Sequence, residues 1–136
     1  MEPKVIRANH FVLEDENGMP RATLGVSRKG RAGLVLTDEN GKVRVLLSVT
    51  KDGPELSLCD EDETRRVLLS TDTDGEKLRL SDENGKLRAM LTVGKDGPVL
   101  ALLDENGTPR ATMGLSTEGA GLFLLDETGK TIWSQA

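Results

Sequence analysis

The chain has no tyrosine, one tryptophan (Trp133) and two phenylalanines (Phe11, Phe123), so packing falls to leucine and valine. A single cysteine, Cys59, excludes an internal disulfide and favours a reducing, cytoplasmic compartment. A single histidine, His10, leaves zinc or Cys/His chemistry without a second histidine, and Cys59 lies far away in the chain. No apolar run approaches the ~20 residues of a membrane-spanning helix, and Met1-Glu2-Pro3-Lys4 does not open a signal peptide. The chain therefore reads as soluble. Its formal charge of -5, with acids and bases interleaved, argues against a nucleic-acid partner, which requires a net basic face. Phosphate-binding glycine loops, nucleophile elbows and HExxH motifs are all missing. The expectation is a protein that is not an enzyme, with no catalytic, cofactor or metal site.

What the sequence does have is a repeat. Asp15, Asp38, Asp60, Asp82, Asp104 and Asp126 stand 22 residues apart, with one interval of 23 between the first two. Glu-Asn-Gly or Glu-Thr-Gly follows five of them, while the third copy, Asp60-Glu61-Asp62-Glu63, lacks the glycine. Arginine comes six residues after the aspartate in five copies: Arg21, Arg44, Arg66, Arg88 and Arg110. Such a period means one supersecondary unit stacked in a row or closed into a ring. Residues 1–136 read as a single repeat domain, the copies starting near 11, 34, 56, 78, 100 and 122. A compact domain of this length buries roughly 68% of the surface its unfolded chain exposes.

Each copy reads as two strands. In the fourth, Leu78 and Leu80 alternate with polar residues, and after Asn84-Gly85 so do Leu87, Ala89, Leu91 and Val93. Period two on both sides of an Asn-Gly turn is a hairpin signal. The next turn carries Asp96-Gly97, a pair suited to a type I′ turn. A two- or four-residue loop at Asp82–Gly85 would put Leu78 opposite Ala89 and Leu80 opposite Leu87. A two-residue Asp96-Gly97 loop would put Leu91 opposite Leu102. Even loops keep the apolar columns on one face, whereas an odd loop throws half of them onto the other. The 23-residue interval is expected to be absorbed as a bulge around Gly30–Gly33.

Twelve short strands with one apolar face must cover that face. The sequence predicts an all-β, closed, quasi-sixfold antiparallel meander of six hairpins, a shallow barrel, with a β-solenoid as the alternative. Leu13, Leu36, Leu58, Leu80, Leu102 and Leu124 would line its lumen, Trp133 would point inward at the seam, and Leu58, Leu80 and Leu102 would be nearly fully buried. The other face is mixed, carrying Leu46, Leu68, Met90 and Phe123 beside polar residues, which suggests self-association or a partner.

The segment Phe11-Val12-Leu13-Glu14-Asp15-Glu16-Asn17-Gly18, followed by Arg21-Ala22-Thr23-Leu24 and reiterated to Gly129-Lys130-Thr131-Ile132-Trp133, resembles the bacterial β-flower repeats. That family looks like a shallow barrel of hairpin petals, similar in outline to the tubby C-terminal and scramblase barrels. The resemblance implies that fold and, by analogy, lipid or membrane-surface association. Within it, Arg21, Arg44, Arg66, Arg88 and Arg110 are the candidate rim contacts for anions. The competing reading pairs each arginine with a nearby acid. The acidic turns are not calcium loops: the best window, from Asp72, has Lys77 where glycine is needed. Two functions follow, a binding module taking a lipid or other hydrophobic ligand in its lumen, and an assembly or protein-interaction module with a filled core.

Overall fold

A computed structural model describes residues 5–135; Met1–Lys4, which bear on the signal-peptide reading, and Ala136 lie outside it. The first six strands are β1 (His10–Glu14), β2 (Pro20–Val26), β3 (Ala32–Thr37), β4 (Val43–Val49), β5 (Pro54–Cys59) and β6 (Arg65–Asp72). The rest are β7 (Gly75–Ser81), β8 (Leu87–Gly94), β9 (Gly97–Leu103), β10 (Pro109–Ser116), β11 (Gly119–Leu125) and β12 (Thr131–Gln135). They form one antiparallel sheet in strict chain order, with no helix among the described residues. Antiparallel pairing within every copy rules out the solenoid.

The hairpin columns hold, but the loops differ from the expectation. At Asp82 the turn is a three-residue loop. Gly85 N–H donates to the Asp82 carbonyl (3.0 Å), Asp82 N–H donates to the Lys86 carbonyl (2.9 Å), and Gly85 takes φ 75°. This is a type I turn closed by a left-handed glycine. An odd loop would flip the strand, yet Leu80 faces Ala89 while Ser81 faces Leu87, leaving Arg88 as an unpaired extra residue. The bulge at Arg88 undoes the flip made by the loop, so the apolar parity survives. The second turn also differs. Gly94 pairs with Gly97 across a loop of Lys95 and Asp96, so Leu91 faces Leu100 rather than Leu102. Only glycines and Glu63 have positive φ among the described residues, so this is not a type I′ turn. The extra residue of the first interval sits in the turn itself, where Ser27 and Arg31 close a loop ending in Gly30 at φ 76°.

The register explains why the sheet stays open. Direct pairing links Leu13, Ala22, Leu36, Val45, Leu58 and Val67, and continues through Leu80, Ala89, Leu102, Ala111, Leu124 and Trp133. One straight row thus crosses all twelve strands without stagger. A barrel needs strands tilted to its axis and a register that shifts by a fixed shear, and this repeat accumulates none. β1 pairs only with β2 and β12 only with β11. The closed barrel expected from the sequence is therefore corrected to an open meander.

An open single layer has no lumen, which also corrects the burial expected of the leucines. Each strand touches only its chain neighbours. Leu58, Leu80 and Leu102 are 39%, 42% and 49% exposed, Leu13 is 68% exposed, and Leu36 and Leu124 are likewise open. Trp133 faces Leu124 on the edge strand, and there is no seam for it to fill. The buried side chains lie instead on the mixed face. Ser57 is flanked in its row by Leu46 and Leu68, and Ala101 by Met90 and Thr112. Small residues are shaded there by larger neighbours leaning over them. Ser57 Oγ has no hydrogen-bond partner. Ser57→Ala should therefore stabilise the sheet by about 1 kcal/mol, since a buried unsatisfied hydroxyl costs about 1–3 kcal/mol. A lower urea midpoint for this variant would show that the hydroxyl is satisfied.

Candidate functional site

Two repeated features could carry function: the aspartate–arginine pairs of five of the six hairpins, along one edge, and the rows of side chains on the two faces.

The aspartates organise their own turns. Asp82 Oδ1 accepts from the N–H groups of Asn84 (3.0 Å) and Lys86 (3.0 Å), while Oδ2 takes Arg88 Nη1 at 3.3 Å. Arg88 Nε donates to the Leu103 carbonyl at 3.1 Å, reaching from β8 to the end of β9. The same clasp recurs: Arg44 joins Asp38 to the Cys59 carbonyl, Arg66 joins Asp60 to that of Ser81, and Arg110 joins Asp104 to that of Leu125. Arg21 does so more loosely, at 3.5 Å from Asp15 and 3.4 Å from the Thr37 carbonyl. Each bulge presents its arginine between one hairpin's turn and the next hairpin's strand. All five candidate rim residues are thus engaged in tying hairpins together. Asp126 has no arginine six residues on and binds Thr128 Oγ1 instead, at 2.7 Å.

These contacts depress the carboxyls below their usual 3.8. At Asp15 and Asp104 the largest influence is the backbone N–H of Met19 or Thr108, which lowers the pKa. At Asp38, Asp60 and Asp82 the largest single influence is desolvation, which raises it, but backbone N–H donors and the arginine together outweigh it.

The third copy pays for its missing glycine in strain: Glu63 takes φ 62° in place of the glycine of the other copies. Its carboxylate accepts from the Val43 N–H at 3.0 Å and lies 3.9 Å from Lys42 Nζ, in the preceding hairpin. The strain is therefore coupled to another contact between hairpins.

The two faces differ in chemistry. On the leucine face a second row runs parallel to the first: Phe11, Leu24, Leu34, Leu47, Leu56 and Leu69, then Leu78, Leu91, Leu100, Met113, Leu122 and Gln135. Neither row holds a charged residue. The mixed face carries Glu55, Lys77 and Arg79 among its rows, and glycines at Gly25, Gly33, Gly114 and Gly121. The missing side chains leave two open troughs there. One of about 240 Å³ lies beside His10, whose ring lies against Gly25, and one of about 470 Å³ lies beside Phe123, whose ring lies against Gly121. His10 on β1 and Cys59 on β5 are four strands apart, about 19 Å at sheet spacing, so they form no dyad. Among the described residues no three metal-binding side chains cluster. The straightness of the leucine rows was hidden in the sequence because the bulged arginine shifts the spacing between columns by one.

No protein-family model and no curated protein matches the chain. Among solved structures it is similar to an S. aureus TarM mutant in complex with fondaparinux, alpha-GlcNAc-glycerol and UDP, with 13% identity and a TM-score of 0.49. That match covers 85% of this chain and 21% of the other. A likeness at this level carries no argument about function.

Proposed function

We propose that this is a non-enzymatic assembly module, a repeat sheet that presents an apolar face for packing against protein. The observation supporting it is the leucine face itself, two uncharged rows crossing twelve strands, to which every strand contributes at least one large side chain 36% or more exposed. Such a patch runs about 53 Å across the sheet at ~4.8 Å per strand, a contiguous apolar stripe rather than the singly scattered surface hydrophobics that need no explanation. The lipid-binding reading relied on a closed lumen and a free arginine rim. The open sheet encloses no lumen, and each arginine is held by an aspartate and a carbonyl. The kinship with β-flower proteins remains part of the proposal through the hairpin repeat and does not depend on closure. Native mass spectrometry of freshly purified protein, with liposome co-sedimentation at low salt, tests the choice. Lipid-free protein that stays in the supernatant while anionic vesicles sediment is expected; a co-purifying lipid, or protein that pellets with the vesicles, would return the lipid reading to first place.

A further inference from the structure

We propose that the leucine face is covered by the same face of a second copy of this chain, an inference that rests on the assembly reading. Three observations lead to it. The first is area. The chain exposes 10228 Å², whereas a compact protein of 14.7 kDa exposes about 6,900 Å². Folding thus hides only about half of the unfolded surface, against the roughly 68% normal for this length. Obligate homodimers bury about 2,000–5,000 Å² in total, and two copies of this sheet have that much surface in excess.

The second observation is relief. Along the first row a leucine on each odd strand from β1 to β9 is followed by valine or alanine on the next, as Leu36 by Val45, Leu58 by Val67 and Leu80 by Ala89, the alternation ending at Leu124 and Trp133. A ridge of alternating large and small side chains, repeating every two strands, fits a copy of itself turned about a two-fold axis parallel to the strands between β6 and β7, which sets odd strands over even ones. Large groups then sit over small ones, as facing layers of a packed core do. Two such faces would pack about 10 Å apart, as in aligned sandwiches. An isologous contact of this kind uses one patch on both partners.

The third is charge. The net charge of -5 opposes association of two copies in general. Neither leucine row carries a charge, and the arginine–aspartate pairs sit at the turns. A partner recognised through charge would find nothing to read in these two rows, while a second copy meets equally uncharged rows, with Glu76 in the row beyond them left at the rim.

The mass of the full chain at micromolar concentration, measured by sedimentation velocity, should be at least twice 14.7 kDa. Leu80 lies on β7, beside the middle of the sheet where a two-fold axis would run. Leu80→Glu and Leu80→Lys should each dissociate the assembly, and mixing the two variants should restore it. Thr92→Glu, on the opposite face, should leave the mass unchanged. Circular dichroism checks that each variant keeps its strands. Should Leu80→Glu unfold, Leu102→Cys in a Cys59→Ser background decides instead: its thiol should resist labelling when the chain is associated and react on dilution. A folded, lipid-free monomer overturns the second-copy proposal while leaving the assembly reading intact. So does a doubled mass that survives both Leu80 charges, which would place the contact at the sheet edges. A lipid-bound monomer overturns both.

Discussion

Gly75→Ala should destabilise the sheet by about 3 kcal/mol or more, whereas Gly119→Ala should cost clearly less. Both glycines open the second strand of a hairpin and both have φ in the region that side chains avoid, 121° and 136°. Strain of that kind alone costs of order 1–3 kcal/mol. Gly75 carries a second restriction, because a Cβ there would collide with the Val93 carbonyl oxygen on the neighbouring strand, and backbone cannot swing aside as a side chain can. Gly53 and Gly97 are blocked in the same way by the carbonyls of Thr71 and Leu115. Around Gly119 nothing lies within 4 Å, so only the conformational term remains. Forcing a methyl group into packed space adds about 1–3 kcal/mol. Urea melts of the two variants measure the difference. Equal losses would mean that the strands at this edge separate easily and that close approach does not hold the hairpins together.

Acid should unfold the protein cooperatively, with stability flat at neutral pH and falling only below about 4. The cause is the row of clasped aspartates, each with its pKa lowered from 3.8. Asp126 is lowered chiefly by Thr128, and Asp72 chiefly by Lys77. A carboxyl whose pKa is lower folded than unfolded binds fewer protons in the folded state. Its stabilising effect is fully present above 3.8 and is lost as pH falls through the depressed folded value. The effects act together because each neutralised aspartate gives up its arginine and weakens two turn hydrogen bonds at once. Urea midpoints measured from pH 7 down to about 2.5 should show the fall, and Asp82→Asn should reduce its steepness. A midpoint that does not move across that range would mean that the clasps contribute nothing to folding.

Much of this architecture is written in the repeat. The alternation of Leu78 and Leu80, and of Ala89, Leu91 and Val93, around glycine-bearing turns specifies antiparallel hairpins, because side chains in a strand change face at every residue. The 22-residue period specifies how many hairpins there are and that they follow one another in order. The arginine stripe allowed two readings, anion contacts or pairing with acids such as Glu14; the structure pairs each arginine with the aspartate six residues before it, which the spacing alone did not single out. The registers were two residues off at both turns, since no local rule distinguishes an even loop from an odd loop compensated by a bulge at Arg88. Closure lay beyond the sequence for a different reason. Whether β12 meets β1 depends on stagger summed over eleven pairings, and a repeat that returns to the same row each time sums to none. That same register left Leu58, Leu80 and Leu102 half exposed and put burial on Ser57 and Ala101. Periodicity marks which residues share a face, whereas what covers that face is decided by the tertiary arrangement, because a single layer has nothing to lay over itself.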